Sequence, residues 1–247
     1  MSADARDRLG AQAGGAANAS RERGPGALED DPTRPQSTRA ESPAWRLLAT
    51  LGVAGGLAGL LIVLVFDWAQ PRIEAHQARV LRLAVQEVLH EPARYDALFV
   101  HGGTIVSELP AGVDSVGIER VYLGYDAAGA PVGFAVVTSK AGFQDQIRLI
   151  FGYDPGTATL LGMKVLESKE TPGLGDKIEK DSSFVAEFAG VSAPLSGVKS
   201  GGGRGEANEV DMITGATISS RTIIDAINAA VARLGPMLES YQPGGTR

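Results

Sequence analysis

Residues 47–66 read LLATLGVAGGLAGLLIVLVF, twenty consecutive positions without a charge. A helix over this stretch is about 30 Å long, the thickness of the hydrocarbon core of a bilayer. A segment of this kind either crosses a membrane or fills a large core, and its length favours the membrane. Arg46 and Asp67 bracket it, and Trp45 and Trp68 stand where interfacial aromatic side chains belong. The run is too long for the apolar part of a signal peptide, and a long polar segment precedes it. Gly52, Gly55, Gly56 and Gly59 place small residues four apart, a spacing that permits close packing against another membrane helix. Charge does not set the orientation. Arg34, Arg39 and Arg46 on one side balance Arg72, Arg79 and Arg82 on the other.

The segments on either side differ in character. Residues 1–42 are rich in Ala, Gly, Arg, Pro, Ser and acids without apolar periodicity, the composition of a disordered arm. From Gln70 to about Leu98 the apolar positions follow a helical period, and Glu91-Pro92 marks its close. Strands are expected over 117–124, 132–138, 146–153 and 159–166, joined by turns such as Asp126-Ala-Ala-Gly129 and Asp154-Pro155-Gly156. Phe184–Phe188 suggests a short helix, and Ser200-Gly-Gly-Gly-Arg-Gly205 a flexible loop. Ile224, Ile227, Val231 and Leu234 mark a helix from Ser220 that Gly235-Pro236 ends or kinks. The expected fold is α+β: a disordered arm over 1–42, one transmembrane helix over 45–67, one domain over 68–240 with an antiparallel sheet and flanking helices, and a short tail over 241–247.

Composition excludes several function classes. The chain has no cysteine, so disulfides, cysteine-ligated iron–sulfur clusters and thiol catalysis are absent. His76, His90 and His101 show no ligand spacing suited to zinc. The formal net charge is −6 and no basic cluster interleaves with aromatics, so nucleic acid is not an expected partner. Redox chemistry in this chain needs an organic cofactor.

Two stretches carry the chemistry. Asp211-Met-Ile-Thr214-Gly215-Ala216-Thr217 runs into the predicted C-terminal helix. A helix start presents free N–H groups and the positive end of the dipole, and a glycine without Cβ lets a phosphate approach the backbone. The same residues also suit an ordinary helix N-cap with Thr214 or Thr217 capping, and Asp211 as a cap, a metal or transferase contact, or an exposed acid. The second stretch, Glu170-Thr171-Pro172-Gly173-Leu174-Gly175, follows a predicted strand. It combines backbone donors, a hydroxyl and an apolar side chain, the mixture a planar aromatic ligand needs. It equally suits a plain strand-to-helix turn, with Asp176 as an N-cap or a first-turn acid. No acid–base pair in a substrate pocket stands out, so independent catalysis on a metabolite is not expected.

Taken together, the two stretches resemble the signatures of the FMN-binding domain family. Asp211 with Thr214-Gly215-Ala216-Thr217 is similar to its flavinylation motif Asp-x-x-(Ser/Thr)-Gly-Ala-(Ser/Thr), and Glu170–Gly175 is similar to its second signature. Within that family the likeness runs to G subunits of Rnf-type ion-translocating electron transport complexes. C subunits of sodium-translocating NADH–quinone reductases are near relatives, and a membrane-anchored sensory or reductase FMN protein is a further alternative. The resemblance covers residues 45–237. It implies FMN joined through its phosphate to Thr217, a flavin transferase that makes the bond from FAD, and other subunits of a membrane complex as partners. It also implies a single-pass anchor among the lipids of the inner or plasma membrane, with the domain on the extracytoplasmic side. Thr214, Gly215, Ala216 and Asp211 would surround the phosphate. Glu170, Thr171, Pro172, Gly173, Leu174 and Gly175 would lie against the isoalloxazine, with Leu174 as the apolar contact.

Overall fold

The computed structural model describes residues 43–243, so the arm over 1–42 and the last four residues lie outside the described part. The chain divides into two units, Met1–Ala58 and Gly59–Arg247. Helix α1 runs from Ala44 to Val88. It holds a window long and apolar enough to cross a membrane, none of it buried against protein. The sequence pattern placed two successive helical segments here, and they form one element. The predicted second segment reached about Leu98, but the helix ends at Val88 and Leu98 lies in a strand. His90 (φ 57°) and Glu91 (φ 59°) turn left-handed at that end, and the Glu91 N–H donates to the Gln86 carbonyl at 2.7 Å. The apolar residues of 94–101 continue the count of the helix, so periodicity missed the break.

Six strands follow: β1 (Arg94–His101), β2 (Thr104–Val106), β3 (Arg120–Tyr125), β4 (Pro131–Ala141), β5 (Gln146–Asp154) and β6 (Thr159–Glu167). They form one sheet in the order β2-β1-β3-β4-β5-β6, with every pair antiparallel. The helices α2 (Lys177–Lys180) and α3 (Ser182–Ala186) come next, followed by β7 (Ser196–Lys199), β8 (Glu209–Met212) and α4 (Thr217–Ser240). Helix α4 continues through Pro236. Leu234 and Leu238 are buried on either side of that proline, so packing holds the axis together.

Period-2 alternation splits the sheet between two cores. Val121, Leu123, Phe134, Val136, Leu149 and Phe151 face the side covered by α4, where Ile223, Ile227 and Leu234 meet them. Ala135 and Ile150 point the other way and pack against Ala84, Val85, Val88 and Leu89 at the end of α1. Gly152 permits that docking, because a Cβ there would strike the Val88 carbonyl.

The pair β7–β8 is parallel, with Val198 opposite Asp211. Parallel neighbours ordinarily need a long crossover. Here residues 200–208 make the return, and carboxylates on β8 hold the loop. Glu209 Oε2 accepts from the Arg204, Gly205 and Glu206 N–H groups at 2.6, 2.9 and 3.2 Å. Asp211 Oδ2 accepts from the Gly201 N–H at 3.0 Å.

Candidate functional site

Strand β8 delivers the chain to a tight turn that opens α4. The Ala216 N–H donates to the Ile213 carbonyl at 3.0 Å, and Gly215 sits at φ 87° in the third position of the turn. A positive φ there favours glycine. Ser220, fully buried, fastens the turn: its hydroxyl donates to the Ala216 carbonyl at 2.9 Å and accepts from the Ile213 N–H at 3.2 Å.

The N-cap of α4 is Ala216, and no side chain caps the helix. A 24-residue helix therefore opens with its first N–H groups uncapped by any side chain and its dipole directed outward. Thr217 is the first helical residue and is exposed. Its hydroxyl donates to the Ile213 carbonyl across a long 3.4 Å contact, which leaves the oxygen lone pairs free to face outward. The threonine-cap reading of the sequence does not describe this end, because Thr217 lies inside the helix and bonds backwards. The donor set fits a phosphate: a hydroxyl, a glycine turn and an uncapped helix start.

The loop Glu170–Gly175 lies against this turn. A Cβ at Gly215 would stand 3.8 Å from Leu174 Cδ2, and a Cβ at Gly175 would stand 3.2 Å from Ser219 Oγ and 2.7 Å from Glu170. The two sequence motifs, 36 positions apart from Gly175 to Asp211, thus meet in space. Glu170 makes the joint. It is 5% exposed, and its carboxylate accepts from the Ser219 hydroxyl at 2.7 Å and from the Phe143 and Gln144 N–H groups at 2.9 and 3.1 Å. Three segments, the β4–β5 hairpin, the loop and the first turn of α4, share one buried anion. Thr171, Pro172 and Gly173 line the outer side of the loop, with Gly173 at φ 78°. The Gly173 N–H donates to Asp176 Oδ1 at 2.7 Å. The Lys180 ammonium, 2.6 Å from the other carboxylate oxygen, holds Asp176 below the usual aspartate range, and the Gly173 bond adds to that.

Leu174 is 51% exposed and Ile218, beside Thr217, is 56% exposed. Phe143, at the hairpin tip that Glu170 anchors, is 64% exposed. Leu174 beside Gly215 and Ile218 beside Thr217 leave apolar surface at the helix start, and Phe143 adds an exposed ring on the hairpin that Glu170 ties to the same junction, the kind of surface a flat aromatic ring can use. Sequence reading found Leu174 but missed Phe143 and Ile218. Phe143 sits in a loop with no pattern of its own, and Ile218 reads as part of the apolar stripe of the helix.

Asp211 secures the glycine-rich loop through Gly201. Its own N–H donates to the Glu187 carboxylate. Burial pushes Glu187 above the usual glutamate range, and the nearby Asp211 charge pushes in the same direction.

Residues 142–232, from the β4–β5 hairpin into α4, match the FMN-binding domain. The chain is 29% identical over 186 residues to the G subunit of the ion-translocating oxidoreductase complex of Methanosarcina acetivorans, covering 75% of this chain and 92% of that one. It is 31% identical over 169 residues to the protein of the same name from Pseudoalteromonas atlantica, covering 68% of this chain and 77% of the relative. The chain belongs to the G-subunit family of ion-translocating oxidoreductase complexes. Among solved structures, Shewanella oneidensis NqrC superposes with a TM-score of 0.56 at 17% identity, covering 68% of this chain and all of that one. The shared fold includes the sheet and flanking helices described above.

Proposed function

We propose that this chain is the FMN-carrying electron-transfer subunit of an Rnf-type ion-translocating complex, with the flavin joined to Thr217 by a phosphoester. The observation that carries the proposal is the uncapped start of α4, where an exposed threonine hydroxyl stands beside a positive-φ glycine and an exposed apolar surface. FMN, when bound, supplies redox chemistry that no side chain of this cysteine-free protein offers.

The residues of the chain divide the remaining work. The α4 N–H groups and dipole stabilise the phosphate charge. Gly215 keeps the approach open. Leu174, with Phe143 and Ile218, offers the isoalloxazine an apolar bed that shields it from water. Glu170 fixes the three segments that present those side chains, so the bed is preorganised without the carboxylate reaching the ring. Thr171, Pro172 and Gly173 offer polar and backbone groups at the ring edge. A covalent anchor on an exposed surface prevents loss of the cofactor. The ring remains open to other subunits that supply and accept electrons. A flavin transferase using FAD installs it.

The fold shared with NqrC is also compatible with the C subunit of a sodium-translocating NADH–quinone reductase. The named sequence relatives favour the G subunit.

Intact-mass measurement after co-expression with the transferase tests the attachment. Wild type and Thr217→Ser should carry one FMN, while Thr217→Ala should carry none and still fold. Flavin retained on Thr217→Ala overturns the assignment. The side of the membrane is tested through the absence of cysteine. Ala127, exposed in the β3–β4 turn, is replaced by cysteine and treated with a membrane-impermeant maleimide in intact cells. Labelling is expected for an extracytoplasmic domain, and protection until lysis places the domain inside.

A further inference from the structure

A groove of about 480 Å³ lies along the part of α1 that follows the apolar span. One wall is a single stripe of that helix from Trp68 through Arg72 and His76 to Leu81. The opposite wall is Arg148 of β5 with Leu166 and Glu167 of β6. The Arg72 guanidinium stacks on the Trp68 ring at 3.9 Å. Neither Arg72 nor Arg148 has an ion-pair partner among the described residues. Glu167, opposite Arg148 in the strand register, is the one acidic side chain in the lining.

Position along the helix decides what can reach this groove. The uncharged span ends at Phe66, so the Arg72 backbone stands about 9 Å beyond it. Helix side chains lean toward the N-terminus, which here is the direction of the bilayer. The Arg72 guanidinium therefore comes down into the headgroup layer, which occupies roughly 5–8 Å beyond the hydrocarbon. Trp68 lies deeper still, at the level where aromatic belts form. Two guanidiniums without ion-pair partners lining one groove, Arg72 of them at that depth, with an apolar floor between, match an anionic phosphate attached to glycerol and acyl chains.

We propose that this groove is a binding site for the headgroup of an anionic phospholipid, with Arg72 and Arg148 clasping the phosphate and Ala69 and Ile73 contacting the glycerol and first methylenes. The lipid would brace the end of α1 against β5 and β6 and so set the height of the flavin domain above the membrane. The proposal rests on the membrane reading of residues 47–66 and is independent of the flavin attachment.

Native mass spectrometry of the delipidated full-length chain in detergent tests it, with equimolar phosphatidylglycerol and phosphatidylcholine added. Wild type should retain phosphatidylglycerol roughly thirty-fold over phosphatidylcholine, the gain expected from two basic side chains at an anionic headgroup. Arg72→Gln with Arg148→Gln should bring the ratio to about one. Arg82→Gln, which removes one positive charge from the same helix outside the groove, should leave it unchanged. Equal retention of the two lipids by wild type overturns the site. So does a preference that survives the double substitution, or one that Arg82→Gln removes equally. Flavin mass on each variant reports separately on the Thr217 reading.

Discussion

Gly215 and Thr217 show how much chemistry two neighbouring backbone conformations set. A φ of 87° at Gly215 turns the chain sharply enough that α4 starts at Thr217 with Ala216 as its cap. Alanine has no acceptor, so the helix start is left for an external anion. Asp176 shows the opposite use of a carboxylate, tied to a local cation. Its pKa is lowered in the folded state, chiefly by Lys180 and then by the Gly173 N–H. A lowered carboxylate pKa adds stability above the unfolded value, and that stability is lost as pH falls through the folded value. The window therefore opens near pH 3.8 and extends below it. Thermal melts at pH 7 and pH 3 should show a larger fall for wild type than for Asp176→Asn, which starts lower at pH 7. Equal falls would mean that this pair contributes nothing to acid sensitivity.

At the scale of elements, the site is a junction held by Glu170. A carboxylate buried to 5% exposure is tolerated because two N–H groups and one hydroxyl donate to it. Removing the acceptor strands all three donors. Glu170→Ala should lower unfolding stability by about 3 kcal/mol, while Glu170→Gln should cost less, since an amide oxygen still accepts and the Ser219 hydroxyl can turn to accept. Urea midpoints of the two variants check this. A Glu170→Ala midpoint equal to wild type would show that the three segments hold their places without it. The loop Glu170–Gly175 was legible in the sequence as a special turn, because Pro-Gly-x-Gly is a local signal. The role of Glu170 was not, because its partners at 143, 144 and 219 are distant in sequence. Strands β1, β2, β7 and β8 also escaped pattern reading. β7 and β8 have four residues each, too few for alternation to register, and β1 continues an apolar period begun by the helix.

At the scale of the molecule, α1 serves two environments in succession. Its apolar window is unburied by protein, whereas Ala84, Val85, Val88 and Leu89 are at most 2% exposed and close the second core over Ala135 and Ile150. Truncation should separate these duties. A chain starting near residue 70 should remain folded by near-ultraviolet circular dichroism. One starting at residue 90 should not, since losing those side chains removes at least 1.5–3 kcal/mol for each of the three larger ones, about the whole stability of a domain. A folded chain from residue 90 would show that the α4-side core is self-sufficient.

The sequence by itself determined the long apolar helix, the antiparallel α+β class and the identity of the two motifs. These depend on composition, short-range periodicity and local turn chemistry, all carried by neighbouring residues. Only the tertiary structure decided that the motifs meet and that the hairpin bearing Phe143 is tied by Glu170 to the first turn of α4. It also assigned Asp211 to bracing a loop beside the helix entrance and joined the two helical segments at the front into one. Those outcomes depend on register and on hydrogen bonds between residues dozens of positions apart, where no local preference operates.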